Sequence, residues 1–322
     1  MRAIVVRQHG QPEVLEIAEV PDPQPGPGQL LVDVAAAGVN FMDIYQRQGN
    51  PPYASGLPYV AGTEGAGTVA GVGPDVQGFA DGDQVAWAGV PGSYAEQVVL
   101  PADSAVPVPD GVSLQVAAAV MLQGLTAHYL SNSTYAVAGG DHVVVHAAAG
   151  GVGLLLTQLV KMRGGIVIGT ASTTAKAVLA QQAGADHLAG YDDFAAITRQ
   201  VTDGAGAAAV YDGVGLTTFD DSLSALRLRG YMVLYGAASG PVPPFELQRL
   251  AAGGSLFITR PTLRSYLTSR DELLGRTSDL FSWIGQGRLS VRIGGTYPLG
   301  ETARAHEDLG SRRTTGKLIL LP

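Results

Sequence analysis

The residues with the most specific chemistry stand together as His146-Ala147-Ala148-Ala149-Gly150-Gly151-Val152-Gly153. The apolar run Val143-Val144-Val145 precedes them, and Leu154-Leu155-Leu156-Thr157-Gln158-Leu159-Val160 follows. A buried strand, a glycine turn and a helix, in that order, suit a pyrophosphate. The glycines let the backbone approach it, and the helix start offers free N–H groups at the positive end of a dipole. Aligned on the pattern G-x-G-x-x-G, Ala148 takes the first glycine's place, while Gly150 and Gly153 fit. The expectation is a dinucleotide held by Ala149, Gly150, Gly151, Val152 and Gly153.

The second strand decides which dinucleotide. A site for NAD places Asp or Glu at that strand's end, where the acid accepts from the ribose 2′-hydroxyl. Here the segment reads Ile168-Gly169-Thr170-Ala171-Ser172-Thr173-Thr174-Ala175-Lys176, with no carboxylate. Ser172 reads as a helix N-cap, and Lys176 lies within the next turn. Both suit a 2′-phosphate, so NADPH is the expected cofactor. A charge-assisted hydrogen bond to that phosphate is worth roughly 1.5–3 kcal/mol.

These residues need elements to position them. Between residue 115 and residue 260, apolar strand-like runs alternate with helix-like runs. The predicted strands are Val143 to Ala148, Ile166 to Ala171, His187 to Tyr191, Ala207 to Asp212, Tyr231 to Gly236 and Ser255 to Thr259. Helices are expected at Gln115 to Leu130, Gly151 to Met162, Thr173 to Ala183, Asp192 to Val201 and Leu216 to Leu226. That alternation predicts an α/β, doubly wound parallel sheet. The first third reads differently, as short strands bounded by Gly, Pro and Asp: Ile4 to Val6, Gln29 to Ala35, Gly67 to Val72, Gln84 to Ala88 and Tyr94 to Leu100. It predicts an antiparallel barrel or sandwich. Near the end, Ser269-Arg270-Asp271-Glu272 has the form of a capping box and opens a helix to about Gly285. A helix from Glu301 to Arg312 and a strand at Leu318 to Leu321 follow, and this tail is expected to pack on the first domain.

Composition limits the function. The chain has 322 residues, enough for two cores, and 46% of them are hydrophobic. A net charge of −8 disfavours binding nucleic acid through a basic face. With no Cys there is no disulfide, thiolate zinc lobe, iron–sulfur cluster or cysteine nucleophile. Met1-Arg2-Ala3-Ile4-Val5-Val6-Arg7 is too charged for a signal peptide, and no apolar run is long enough for a membrane span. The expectation is a soluble, cytoplasmic protein. His142 and His146 share a strand direction but have no third ligand near them in sequence, so they read as structural.

Several segments together resemble the medium-chain dehydrogenase/reductase superfamily and, within it, the zinc-free, zeta-crystallin-like quinone oxidoreductases. They are Gly38-Val39-Asn40-Phe41-Met42-Asp43-Ile44-Tyr45, Gly62-Thr63-Glu64-Gly65-Ala66-Gly67, Leu125-Thr126-Ala127-His128-Tyr129, the glycine turn, and Ile258-Thr259-Arg260-Pro261. The resemblance covers nearly the whole chain. It implies a GroES-like β-barrel catalytic domain (1–122 and 263–322) around a Rossmann dinucleotide-binding domain (123–262). Zinc-dependent relatives carry Cys where Asn40 stands and His where Thr63 stands. Amide and hydroxyl oxygens are poor zinc ligands, so no catalytic metal is expected.

The resemblance also implies positions for individual residues. Asn40, Asp43 and Tyr45 would lie by the nicotinamide, with Gln123 and Thr126 approaching from the helix that joins the domains. Tyr191 would sit at the adenosine end with Ser172 and Lys176. Gly213, Gly236 and Ala237 would follow the fourth and fifth strands. Thr259 would contact the nicotinamide side, Arg312 would close over the cofactor, and Tyr53 would line the substrate slot. Arg260 fits either an adenosine phosphate or a subunit interface. Asn40, Tyr45, Tyr53 and Thr126 are the expected catalytic set.

The implied reaction is reduction of a quinone by NADPH. Reduction of an activated alkene, with Tyr45 or Tyr53 as the acid, is the alternative enzyme reading, and a low-turnover NADPH-binding protein is the third. The apolar sixth strand at a sheet edge predicts a homodimer through the Rossmann domains.

Overall fold

The computed structural model describes residues 1–322. Strands and helices follow one another along the chain. β1 (Arg2–Val6), β2 (Leu15–Glu19) and β3 (Gln29–Val39) precede α1 (Phe41–Arg47). β4 (Tyr59–Val60), β5 (Glu64–Val72), β6 (Gln84–Ala88), β7 (Gln97–Pro101) and β8 (Val106–Pro107) lead to the long α2 (Leu114–Tyr129). Then come β9 (His142–Val145), α3 (Gly151–Met162), β10 (Ile166–Thr170), α4 (Thr174–Gln182), β11 (His187–Ala189), α5 (Phe194–Val201) and β12 (Ala207–Asp212). α6 (Phe219–Ala225), β13 (Leu226–Leu234), α7 (Gln248–Ala252) and β14 (Phe257–Thr259) complete that stretch. α8 (Arg270–Gly285), β15 (Ile293–Pro298), α9 (Thr302–Gly310) and β16 (Lys317–Leu321) close the chain. No helix is long and apolar enough to cross a membrane.

The chain divides into two compact units. The first, Met1–Gln123 with Leu267–Pro322, holds a three-stranded sheet in the order β2-β1-β4 and a seven-stranded sheet. The larger sheet runs β15-β16-β3-β5-β6-β8, with β7 also paired to β3. Alternation along β3 sends Leu30, Val32 and Val34 inward. They meet Ile4 and Val6 of the smaller sheet, Val85, Trp87, Leu100, and Leu318 and Leu320 of β16 in one core.

The second unit, Gly124–Tyr266, holds six parallel strands in the order β11-β10-β9-β12-β13-β14. Central β12 is buried along its whole length, as the unbroken apolar run Ala207-Ala208-Ala209-Val210-Tyr211 requires of a strand covered on both faces. β9 and β12 are adjacent at the centre, where the strand order reverses. Loops leaving these two strands diverge to opposite faces, which opens a ligand site at their carboxyl ends.

The differences from the sequence reading are shifted element ends and a few elements that were not expected. Ser172 does not cap α4; Thr173 does, its Oγ1 accepting from Lys176 N–H at 3.3 Å. At Ser269 the expected cap forms, since its hydroxyl accepts from Glu272 N–H. The Glu272 carboxylate, however, reaches back to Thr268 N–H rather than to Ser269. The helix expected from Leu216 is confined to Phe219–Ala225, because Leu226 already opens β13. α1, β2 and β15 were not expected from the sequence pattern.

Candidate functional site

Apart from Thr126, which lies on α2, the segments expected to bind cofactor in the second unit stand at the carboxyl ends of strands. The glycine turn follows β9, Ser172 and Lys176 follow β10, and Tyr191 follows β11. Gly213 follows β12, Gly236 and Ala237 follow β13, and Thr259 ends β14. One edge of one sheet therefore gathers them. Two of these loops are in direct contact: Ala238 N–H donates to Gly213 C=O at 3.1 Å, and a Cβ on Gly236 would lie 2.5 Å from the Gly213 oxygen.

The turn itself is tightly built. Ala147 adopts φ +50, and its carbonyl accepts from Gly150 N–H at 2.8 Å. Gly153 sits so close beneath that a Cβ would fall 2.2 Å from the Ala147 oxygen. Only a residue without a Cβ lets α3 start there. Gly150 is the N-cap of α3 and supplies no side-chain cap, so the first-turn amides keep their hydrogens for a ligand. These features fit a pyrophosphate. At the second strand no acid is present, Ser172 is exposed, and Lys176 is half-buried in the first turn of α4. That donor set fits a 2′-phosphate. Gln123, the last residue of the first unit's leading segment, has its Oε1 buried with no hydrogen-bond partner. Thr126 is buried three residues further along α2.

In the first unit, β3 ends at Val39 and Asn40 caps α1. Asn40 N–H donates to Asp43 Oδ2 at 2.8 Å, as in a capping box, while Asp43 N–H donates to the Asn40 backbone carbonyl at 3.1 Å. Asp43 also accepts from Tyr94 OH at 2.8 Å and from Thr63 Oγ1 at 3.3 Å. Burial pushes its carboxyl up to about 6, against the pull of the Tyr94 and Asn40 donors. Beyond Tyr94 lie His306 Nε2 at 3.4 Å and, on that ring's other nitrogen, Arg47 at 3.4 Å. Burial, and then the Arg47 charge, depress His306 to about 3, so this imidazole is neutral. Tyr45 packs on Tyr53 with ring centroids 5.4 Å apart, and both are half-buried. Arg312 is exposed at φ +57 beyond α9.

Sequence reasoning missed the charge at the centre of this unit. Lys317 Nζ donates to Asn40 Oδ1 at 2.7 Å and to Glu64 Oε2, with which it forms an ion pair. Asn40 Nδ2 donates to the same Glu64 oxygen at 2.8 Å, and Leu122 N–H donates to Glu64 Oε1 at 2.5 Å. Gly38 makes room for the pair, since a Cβ there would lie 2.2 Å from Glu64 Oε2 and 2.6 Å from Lys317 Cε. A cationic ammonium thus occupies the space between Asn40 and Glu64, and no three His, Cys, Asp or Glu side chains converge as a metal site would need. The legible signal was a lone lysine heading the apolar run Leu318-Ile319-Leu320-Leu321.

Comparison with known proteins identifies the family. Residues 26–110 match the alcohol dehydrogenase GroES-like domain, and residues 183–320 match a zinc-binding dehydrogenase family. A quinone oxidoreductase of Pseudomonas aeruginosa is 44% identical over 98% of this chain and 97% of its own. The chain belongs to the quinone oxidoreductases of the medium-chain dehydrogenase/reductase superfamily. Another relative within reach of these quinone oxidoreductases is a 2-haloacrylate reductase of Burkholderia, 40% identical over 99% of this chain and 98% of its own. Among solved structures, a mycobacterial protein complexed with NADPH superimposes with a TM-score of 0.97 at 48% identity, each chain covered in full. The quinone oxidoreductase of Escherichia coli complexed with NADPH gives a TM-score of 0.97 at 39% identity, again with full coverage of both chains.

Proposed function

We propose that this chain is an NADPH-dependent quinone oxidoreductase that works without a metal. The observation that carries the reading is the sheet edge: a glycine turn for a pyrophosphate, followed at the next strand by Ser172 and Lys176 where an acid would select NAD. Ala149, Gly150, Gly151, Val152 and Gly153 would hold the diphosphate. Tyr191, Gly213, Gly236, Ala237 and Thr259 would line the remainder. Asp43, Gln123 and Arg312 complete the cofactor assignment.

When bound, NADPH supplies reducing equivalents to the acceptor. The protein's part is to orient the two partners and exclude water. We assign Asn40, Tyr45, Tyr53 and Thr126 to the acceptor. The tilted Tyr45–Tyr53 pair offers aromatic faces to a planar ring. A quinone accepts electrons without a Lewis acid, and its reduced oxygen takes a proton from water. The Lys317–Glu64 ion pair holds the Asn40 amide by both its oxygen and its nitrogen, where zinc-dependent relatives would place a metal ligand.

The likeness to a 2-haloacrylate reductase supports a second reading, reduction of an activated alkene, in which Tyr45 or Tyr53 protonates the carbanion. Steady-state rates with 9,10-phenanthrenequinone and 2-cyclohexenone separate the two. Turnover of the quinone is expected; activity on the enone alone would reject the quinone assignment.

We also infer a homodimer, working in the cytoplasm alongside its coenzyme. β14 is the edge of its sheet, and the neighbouring surface exposes Phe257 at 49% and Leu228 at 74%. An apolar edge of that kind pairs with a twin unless it is covered. Sedimentation at micromolar concentration should give twice the chain mass, and Phe257→Asp should give the single mass.

A further inference from the structure

The second unit contains a buried histidine that the proposed reaction does not use. His146 is fully buried between β9 and the glycine turn. Its hydrogen bonds have a direction that simple proton counting fixes.

The direction starts at Asp212, at the end of β12. Its Oδ1 accepts from Val214 N–H at 2.7 Å and Gly215 N–H at 2.9 Å. Its Oδ2 accepts from Thr218 Oγ1 at 2.7 Å and from Ser222 Oγ at 3.1 Å. Ser222 has one hydroxyl hydrogen and gives it to the carboxylate, so toward His146 Nε2, at 2.9 Å, it accepts. Nε2 therefore carries the ring proton. In a neutral imidazole Nδ1 is then an acceptor, and Thr170 Oγ1, at 3.1 Å, donates to it. The Thr170 oxygen in turn accepts from Ala147 N–H at 3.2 Å. Thr170 C=O takes the next amide as well, Ala148 N–H, at 3.0 Å.

The chain thus ends on Ala147, whose left-handed φ of +50 a residue with a Cβ resists. Ala147 is also the residue whose carbonyl receives Gly150 N–H and abuts Gly153. The imidazole cannot swing out of line: Phe194 meets it edge-on at 4.6 Å, and Tyr191 stacks at 6.1 Å. Burial depresses His146 to about 4, opposed by the Asp212 charge, so the neutral form that the directions require is the one present.

We propose that His146 and Thr170 are positioning residues for the cofactor turn: a one-way chain of hydrogen bonds from Asp212 through Ser222, His146 and Thr170 holds Ala147 in the strained conformation that aims the turn's amides at the diphosphate. The cofactor half of this proposal rests on the NADPH reading above.

The test uses the isosteric Thr170→Val, which keeps shape and branching but cannot accept from Ala147, and Thr170→Ser, which restores the hydroxyl. In ligand-free protein, amide hydrogen exchange at Ala147 should accelerate in Thr170→Val and return to the wild-type rate in Thr170→Ser. The NADPH dissociation constant, by nucleotide fluorescence, should rise about tenfold in Thr170→Val, with Thr170→Ser within about twofold of wild type. Turnover at saturating NADPH should fall less than affinity does. Unchanged exchange at Ala147 in a folded Thr170→Val overturns the proposal, whatever the cofactor. Altered exchange with unchanged NADPH affinity overturns its cofactor half. If the wild type itself fails to bind NADPH while exchange responds as expected, the functional reading fails and the positioning chain stands.

Discussion

Lys317 and Glu64 lie 253 positions apart in the chain, yet they form an ion pair whose side chains are 1% and 0% exposed. Removing water from both charges is costly, and the cost is met only while each keeps its partner. Lys317→Met should destabilise the protein by about 3–5 kcal/mol in urea unfolding, because Glu64 is left buried and unpaired. Adding Glu64→Gln should recover part of that loss. A single variant within about 1 kcal/mol of wild type would show that Glu64 finds another partner.

Two buried groups in the same unit titrate with opposite effects on stability. His306 drops from 6.5 to about 3 on folding, so its contribution is complete above 6.5 and is lost as pH falls. Asp43 rises from 3.8 to about 6, so its contribution is complete below 3.8 and is lost as pH rises through about 6. The stability advantage of wild type over His306→Gln should shrink from about pH 7 to about pH 4, by at most about 1.4 kcal/mol per pH unit. The advantage over Asp43→Asn should shrink in the opposite direction. Chemical denaturation across the range checks both slopes, and a flat difference for either variant contradicts its assignment.

Lys176→Ala tests coenzyme selection. The expected result is a roughly ten- to hundred-fold loss of preference for NADPH over NADH, read as a ratio of dissociation constants. An unchanged ratio would assign Lys176 to the helix surface alone.

Gly153→Ala and Gly150→Ala test the turn in a graded way. A Cβ at Gly153 meets the Ala147 oxygen at 2.2 Å, whereas one at Gly150 meets it at 3.1 Å. Calorimetry should find coenzyme binding lost or severely weakened in Gly153→Ala and only mildly reduced in Gly150→Ala. Equal effects would mean that backbone approach is not what limits the site.

Much of the second unit was legible in the residues. Gly151 to Met162 was read as a helix and is one, because a glycine turn and an apolar run fix both its start and its buried face. The sixfold strand rhythm was equally plain. The first unit was harder, since its site depends on partners distant in sequence. Asn40 and Thr63 were visible as departures from metal ligands. That a lysine beyond residue 300 completes the group could not be read from local pattern. Likewise His146 was read as structural, because its role depends on Ser222, 76 positions away. α1 was missed although its signal, Asn40 three residues before Asp43, was present; the two residues had been read only for the ligand.

β16 pairs with β3 at Leu318–Val39, next to the Lys317–Asn40 link that joins residues 277 positions apart, and the whole second unit is synthesised between them. During translation the six parallel strands emerge as one continuous stretch, while the first sheet waits for a neighbour still inside the ribosome. Until that neighbour arrives, the Ala37–Val39 end of β3, beyond its pairing with β7, is an open template for intruders. The threading therefore sets an order of synthesis: the inserted unit is complete in sequence before the unit that encloses it.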